Sequence, residues 1–408
     1  MRLVQVFKLP HFLWHRHLAF VFYYMTKLFR DFFESERSGG IVLLVATAIS
    51  LWLANSGFAE HYIGFWNMDV FGHPLAHWVN DGLMTIFFLL VGLELERELY
   101  GGELSDIKSA ALPVIAAIGG VCLPAIIYFV LNNGKPTVSG IGIPMATDIA
   151  FALGVLSLVG KSVPASLRIF LTAVAVIDDL IAIIVIAVFY TSDLNSSNLL
   201  ISLGIFGALL ILNRLKIHNT VFYIIGGIVM WYFMLNSGVH ATITGVLLAF
   251  ALPYGKGDEK TISYRWQNRL HVPVAFVILP IFALANTAIP IAANWLEGLE
   301  TSSSLGIIAG LVLGKPIGIF SFALLSAAIG ITTIPSDISK KHLFGVGVLG
   351  GIGFTMSIFI TLLAFNDHEH INNSKIAIIV ASLISGILGF IILKYVKSGN
   401  SAIKRIEK

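Results

Sequence analysis

Strongly apolar runs of about twenty residues recur along nearly the whole of this chain, separated by short charged or glycine-rich stretches. Wound at 1.5 Å per residue, a run of that length spans the roughly 30 Å hydrocarbon core of a bilayer. Every backbone N–H and C=O must find its partner inside that core, which for uninterrupted runs of this length leaves the α-helix. Hydropathy places twelve spans, at 39–57, 76–97, 110–131, 138–159, 165–191, 198–213, 220–236, 238–252, 271–293, 304–328, 342–365 and 374–396. Only 12% of the residues are charged, about half the share found in soluble domains. The fold class is therefore an all-α polytopic membrane protein, with one membrane domain over 39–396.

Residues 1–38 mix Arg2, Lys8, Arg16, Lys27, Arg30 and Arg37 with Phe, Trp and Leu, the pattern of a cytoplasmic amphipathic segment lying on the membrane. Residues 397–408 read as a cytoplasmic tail. Loop charges orient the spans. With both termini placed inside, twenty-three of the 26 basic residues fall in inner segments or at inner span ends, and only Lys135 and Lys375 fall outside. The remaining one, Lys315, lies within span 10. A miscounted helix would scramble that asymmetry, so twelve spans with both termini inside is the expected topology. The net charge of +3 gives no reason to expect a nucleic-acid partner. The single cysteine, Cys122, excludes an internal disulfide and any Cys-based metal site.

Charges inside the spans are few and costly, each worth roughly 2.5–3.5 kcal/mol near the bilayer centre even on lenient scales. Asp178 and Asp179 stand side by side in the middle of span 5 (IFLTAVAVIDDLIAIIVIAVFY). Asp148 lies at similar depth in span 4, and Lys315 at similar depth in span 10. Left unpaired, four such charges would cost on the order of 10–14 kcal/mol, so they must meet one another or water. A structural salt bridge could account for one acid and the lysine. Two further acids would remain, to be neutralised by a cation or by protons.

Span 4 reads SGIGIPMATDIAF and span 11 reads GVGVLGGIGFTMSIF, each with glycine or proline at membrane depth just before a threonine. Such residues are tolerated where a helix unwinds against protein or a cavity. Each segment is the middle member of a three-span group, 3–5 and 10–12, and the two groups run in opposite senses through the membrane. Inverted repeats with matching interrupted helices point to a midplane transport site. Asp148 and Lys315 are then placed to offset the partial charges of half-helix ends where the two interrupted helices cross. Gly306, Gly310, Gly314 and Gly318 form a smooth face on span 10 suited to close helix packing. At the inner end of span 2, Glu94, Glu96, Arg97 and Glu98 cluster, with Glu94 and Glu98 on one face, while Asp81 lies near the outer end of that span. His271 opens span 9, and His240 in span 8 suits a hydrogen bond within the bundle.

Eight motifs in order resemble the NhaA-type bacterial sodium/proton antiporters: FFESERSGGI (32–41), NDGLMTIFFLLVGLELEREL (80–99), PMATDIAFALGVL (144–156), FLTAVAVIDDLIAI (170–183), SGVHATITG (237–245), LPIFALANT (279–287), GLVLGKPIGI (310–319) and GGIGFTMSIFI (350–360). The resemblance implies a secondary transporter in the bacterial inner membrane that expels Na⁺ or Li⁺ in electrogenic exchange for entering H⁺, without a cofactor. It implies that Asp178 and Asp179 bind the ion, with Na⁺ at Asp178, Asp179 and Thr147, while Thr147 and Asp148 support the site and Lys315 pairs with Asp178. It further assigns Asp81, Glu94, Glu98 and His271 to a cytoplasmic funnel and pH response. An outer loop near 58–74 would mediate a homodimer. The chain departs from the family's best-known member at Gln267 and Asn268, where that member has an acid–histidine pair, and Glu96 stands where lysine is common. A shallower or shifted pH profile is expected.

Ligand chemistry alone leaves a different antiporter or symporter substrate, or a cation channel, as alternatives. An intramembrane aspartyl protease would need a G-x-G-D signature within a span, and no span carries one.

Overall fold

The computed structural model describes residues 36–396, apart from 103, 161–162, 192–193, 256, 260 and 292–293. The expected amphipathic segment, up to residue 35, and the expected tail lie outside the described residues. Helices account for almost everything described, in the order α1 Glu36–Ala54, α2 Ala59–Trp66, α3 Leu75–Tyr100, α4 Ile107–Asn132, α5 Ile149–Val159, α6 Ala165–Phe189, α7 Ser196–Arg214 and α8 Thr220–Leu235. There follow α9 Ile243–Ala251, α10 Ile262–Asn286, α11 Trp295–Leu299, α12 Ser302–Ala328, α13 Lys340–Gly350, α14 Phe354–Ala364 and α15 His368–Tyr395. A two-residue hairpin, β1 Asp69–Val70 against β2 His73–Pro74, joins α2 to α3.

Among the described residues, seven helices are long and apolar enough to cross a membrane, and three sharply bent pairs raise the number to ten if each counts as one span. Every expected span is met by helix, but α8 has sixteen residues and α9 only nine, short for a full crossing. Span 9 begins earlier than hydropathy suggested. α10 starts at Ile262, so His271 sits well inside a helix whose first two turns are polar.

Two of the bent pairs are the interrupted spans. In span 4 a 3₁₀ stretch, Pro136–Met145, and α5 meet at 42° across an extended break at residues 146–148. In span 11, α13 and α14 meet at 43° across a break at residues 351–353. Pro144 cannot supply an amide to a helix, and glycines loosen the chain just before both breaks. Each interrupted pair stands between two long helices, α4 and α6 or α12 and α15.

α10 and α12 also carry wide π turns, at Val274–Ile278 and Gly310–Gly314. In both, a proline follows two residues after the turn, Pro280 or Pro316. Its missing amide and its clash with the carbonyl four residues back favour a widened turn at that point.

The glycine face of α12 packs on α4 rather than on α6. An added Cβ at Gly314 would lie 2.9 Å from the Cα of Pro124, and one at Gly318 would overlap the Gly119 carbonyl. Close approach of these two backbones brings α12 into the centre of the bundle. α6 is the most enclosed long helix, with 67% of its apolar window buried, against 11% for α7 at the periphery. The aspartate pair therefore lies on the best-protected helix.

Candidate functional site

Asp178 and Asp179 follow one another on α6, about 100° apart around the helix, and the difference separates their surroundings. Both are buried, with 0% and 1% exposure. Asp178 Oδ2 accepts from the Lys315 ammonium of α12 in a fully buried ion pair, and from the Thr147 hydroxyl at 2.8 Å. Lys315 Nζ also donates to Thr147 Oγ1 at 2.5 Å. That hydroxyl oxygen lies 2.9 Å from the Gly350 carbonyl at the end of α13, so its single proton is shared between two acceptors. Asp178 Oδ1 has no partner.

Asp148 stands in the break of span 4 and holds both half-helices. Its Oδ1 accepts from the Phe151 amide at 2.9 Å, capping α5. Its Oδ2 accepts from the Thr355 amide at 3.1 Å and the Thr355 hydroxyl at 2.6 Å, at the start of α14. Its own amide donates to the Ile352 carbonyl at 2.7 Å, tying the two breaks together. Each helix N-terminus carries roughly half a positive charge, so the two that converge here offset about one negative charge. Lys315 offsets Asp178. One charge is left over: among the described residues Asp179 has no salt-bridge partner and no helix end beside it, only the more distant field of the Lys315 ammonium that Asp178 already holds, and its Oδ1 is buried without a hydrogen-bond partner.

A cavity of about 730 Å³ leads to that residue. Asp179, Asp148 and Thr355 line it deep in the bundle, and Glu94, Glu98 and His271 line it toward the end that the loop charges mark as cytoplasmic. Gln267 and Asn268 share that wall, and Arg97 and Arg168 stand at the mouth. Asp178, Thr147 and Lys315 are not on its surface. The expected sodium set of Asp178, Asp179 and Thr147 is thus divided. Asp179 faces the cavity, while Asp178 and Thr147 sit behind it with Lys315. Among the described residues no three carboxylates, imidazoles or thiols converge as a resident metal site would require.

Three of the four residues expected in the cytoplasmic funnel line the cavity, but Asp81 does not. It lies thirteen residues before Glu94 on the same helix, about 20 Å away along the axis. There it pairs with His77 at 3.0 Å. Glu96 also turns from the cavity and accepts from the Ser263 hydroxyl at 2.6 Å on α10.

Thr355, the threonine that follows the break of span 11, is one of the two residues that anchor Asp148. The correspondence of MATDIAF with GFTMSIF across the two groups was the available signal. The Gly350 and Ile352 carbonyls could not be singled out, because backbone groups become ligands only once a break frees them.

A family model described as Na⁺/H⁺ antiporter 1 matches residues 30–393, nearly the whole chain. This chain belongs to that family. Its relatives agree across their full lengths. The Na(+)/H(+) antiporter NhaA 1 of Flavobacterium johnsoniae is 60% identical over 92% of this chain and 99% of its own. NhaA of Flavobacterium psychrophilum is 61% identical over 91% of this chain and 97% of its own, and that of Vibrio parahaemolyticus is 45% identical over 91% and 98%.

Proposed function

We propose that this chain is a secondary antiporter that exchanges Na⁺ for H⁺ across the bacterial inner membrane, with Asp179 as the residue both ions compete for. The observation that carries the reading is the local charge balance. Lys315 offsets Asp178 and two helix N-termini offset Asp148, so Asp179 alone must be neutralised by something that comes and goes. A sodium ion, a hard cation that takes oxygen ligands, and a proton can each do so, but not together. Mutual exclusion at one carboxylate couples the two fluxes, and rocking of the bundle about the fixed site would present it to either side in turn.

The finer parts of the reading follow. Twelve spans with both termini cytoplasmic agree with the loop charges, which makes the cavity inward-facing. Glu94 and Glu98 form an acidic approach that raises the local cation concentration. Lithium, another hard monovalent cation, would use the same oxygens. Electrogenic exchange, with more than one proton per sodium, needs a second group that changes charge; the neighbouring Asp178–Lys315 pair, with one Asp178 oxygen unpartnered, is the candidate. The hairpin, whose tip residue Phe71 is 90% exposed, is the surface for a homodimer contact in the outer loop.

The test is dequenching of a pH-sensitive dye in everted vesicles on addition of Na⁺, Li⁺ or K⁺. Asp179→Asn abolishes the Na⁺ response if the reading is right, and retained exchange removes Asp179 from the site. Single-channel currents in place of saturable exchange would favour a channel.

A further inference from the structure

Beyond the cavity floor the bundle is sealed toward its outer end. Phe282 of α10 and Phe359 of α14 are each about one turn further outward than cavity-lining residues of the same helix, Phe88 of α3 follows the cavity-lining Phe87, and all three are buried. The Phe359 ring centroid lies 5.4 Å from that of Phe88 and 6.5 Å from that of Phe282. Further outward, the Asn286 side-chain amide donates to Asn80 Oδ1 at 2.7 Å, joining α10 to the π turn of α3 at Val79–Leu83.

On the outer side of this seal a titratable chain begins. Asp81 sits in that π turn, 16% exposed, and His77 stands one turn before it. A carboxylate can only accept, so His77 Nδ1 donates across the 3.0 Å contact and the neutral ring carries its proton there. Its other nitrogen, Nε2, is buried and has no hydrogen-bond partner. The ring of His73, on the exposed hairpin strand β2, stacks on that of His77 with centroids 4.3 Å apart and planes 22° from parallel. A row of two imidazoles and a carboxylate therefore runs from the outer surface to the first turns of α3.

The geometry points to His73, His77 and Asp81 as an outer proton-binding site of the antiporter, where protons entering from outside are first held before the seal opens toward Asp179. Imidazole is the side chain that changes charge between pH 5 and 8. A second proton on His77 would go to the unpartnered Nε2 and give an imidazolium held by Asp81. The groups facing Asp81 include one further base. His240, in the turn before α9, is close enough to feel the Asp81 charge, and its Nε2 lies 2.8 Å from the carbonyl of Tyr190 beyond the end of α6. α10 presents Asn286 here, and α8 presents Trp231, whose indole donates to the Asp81 carbonyl at 3.2 Å. The neighbouring α2 carries Glu60 and His61, both exposed. This placement also gives Asp81 a role at the opposite end from the cytoplasmic funnel that the family resemblance implied for it.

The inference rests on Na⁺/H⁺ exchange as proposed above, and its test separates the two. Right-side-out vesicles loaded with ²²Na⁺ at fixed internal pH are diluted into buffers from pH 5.5 to 8.5, and sodium efflux is followed for the wild type, His77→Asn and His73→Asn. The expected result is displacement of the outer-pH midpoint by at least about half a pH unit in His77→Asn, roughly threefold in proton concentration. A smaller displacement of the same sign is expected in His73→Asn. The apparent affinity for Na⁺ at the cytoplasmic face, read in everted vesicles, stays as in the wild type and shows that the variants are folded. A His77→Asn profile that superimposes on the wild type overturns the outer site while leaving the exchange reading intact. Absence of sodium-proton coupling in the wild type overturns the reading beneath it. If His77→Asn fails to accumulate, His77→Gln takes its place under the same criteria.

Discussion

Lys315 and Asp178 form a fully buried ion pair, and removing one member strands the other. In Lys315→Met the side chain keeps an unbranched apolar stem one atom shorter than the lysine, but Asp178 Oδ2 retains only the Thr147 hydroxyl, whose proton is also drawn to the Gly350 carbonyl. Breaking a buried pair from one side costs roughly 3–5 kcal/mol, because an uncompensated charge is left in a medium that solvates it poorly. That is a loss of about two to three and a half decades in the ratio of folded to unfolded protein. At the 2–4 °C per kcal/mol of mid-sized domains, the melting midpoint falls on the order of 6–20 °C. Asp178→Asn/Lys315→Met removes the stranded charge together with its partner, and replacing both members of such a pair is often neutral or stabilising. The double variant should therefore recover most of the loss. The assay is the fraction of detergent-solubilised protein that stays monodisperse after stepwise heating, followed by size exclusion. The reasoning fails if Lys315→Met melts within about 2 °C of the wild type, or if the double variant is no more stable than the single one.

Three further outcomes are expected. Thr355→Val removes the 2.6 Å hydroxyl donor to Asp148 while keeping the side-chain shape; a loss of roughly 1–3 kcal/mol in thermal stability and a weaker apparent affinity for Na⁺ should follow, and wild-type values in both would contradict the capping role. Gly318→Ala forces α4 and α12 apart at the Gly119 carbonyl, a strain of about 1–3 kcal/mol visible as a lower melting midpoint, and an unchanged midpoint would count against close backbone packing there. With Gln267 and Asn268 on the cavity wall in place of titratable groups, exchange measured from pH 6.5 to 9 should rise more gradually than is usual for the family. A rise as steep as the family's would refute that expectation.

Much of the site was legible because charge at membrane depth is rare and needs a reason. Asp148, Asp178, Asp179 and Lys315 were found by depth alone, without knowledge of how the helices pack. Interruption of spans 4 and 11 was legible from glycine and proline, which weaken a helix by local chemistry that any surroundings must respect. Other readings needed three dimensions. The glycine face of α12 could be recognised as a packing surface, but whether it met α4 or α6 depended on the arrangement of the bundle. Asp81 and Glu94 lie toward opposite ends of one helix by spacing alone, but only the packed bundle shows that the cavity reaches Glu94 and not Asp81.

By itself the sequence determined that this chain spans a membrane as helices and which charges lie deep within those helices. These follow from the cost of placing polar groups in hydrocarbon, a cost that each residue bears wherever its neighbours are. The tertiary structure alone decided how the three acids differ. Asp178 meets a lysine from α12, Asp148 meets the start of α14 as well as its own helix, and Asp179 meets the cavity. The lysine and the start of α14 lie 137 and 207 positions away in the chain from the acids they meet. Their juxtaposition is fixed by the packing of helices, which no local pattern of residues records.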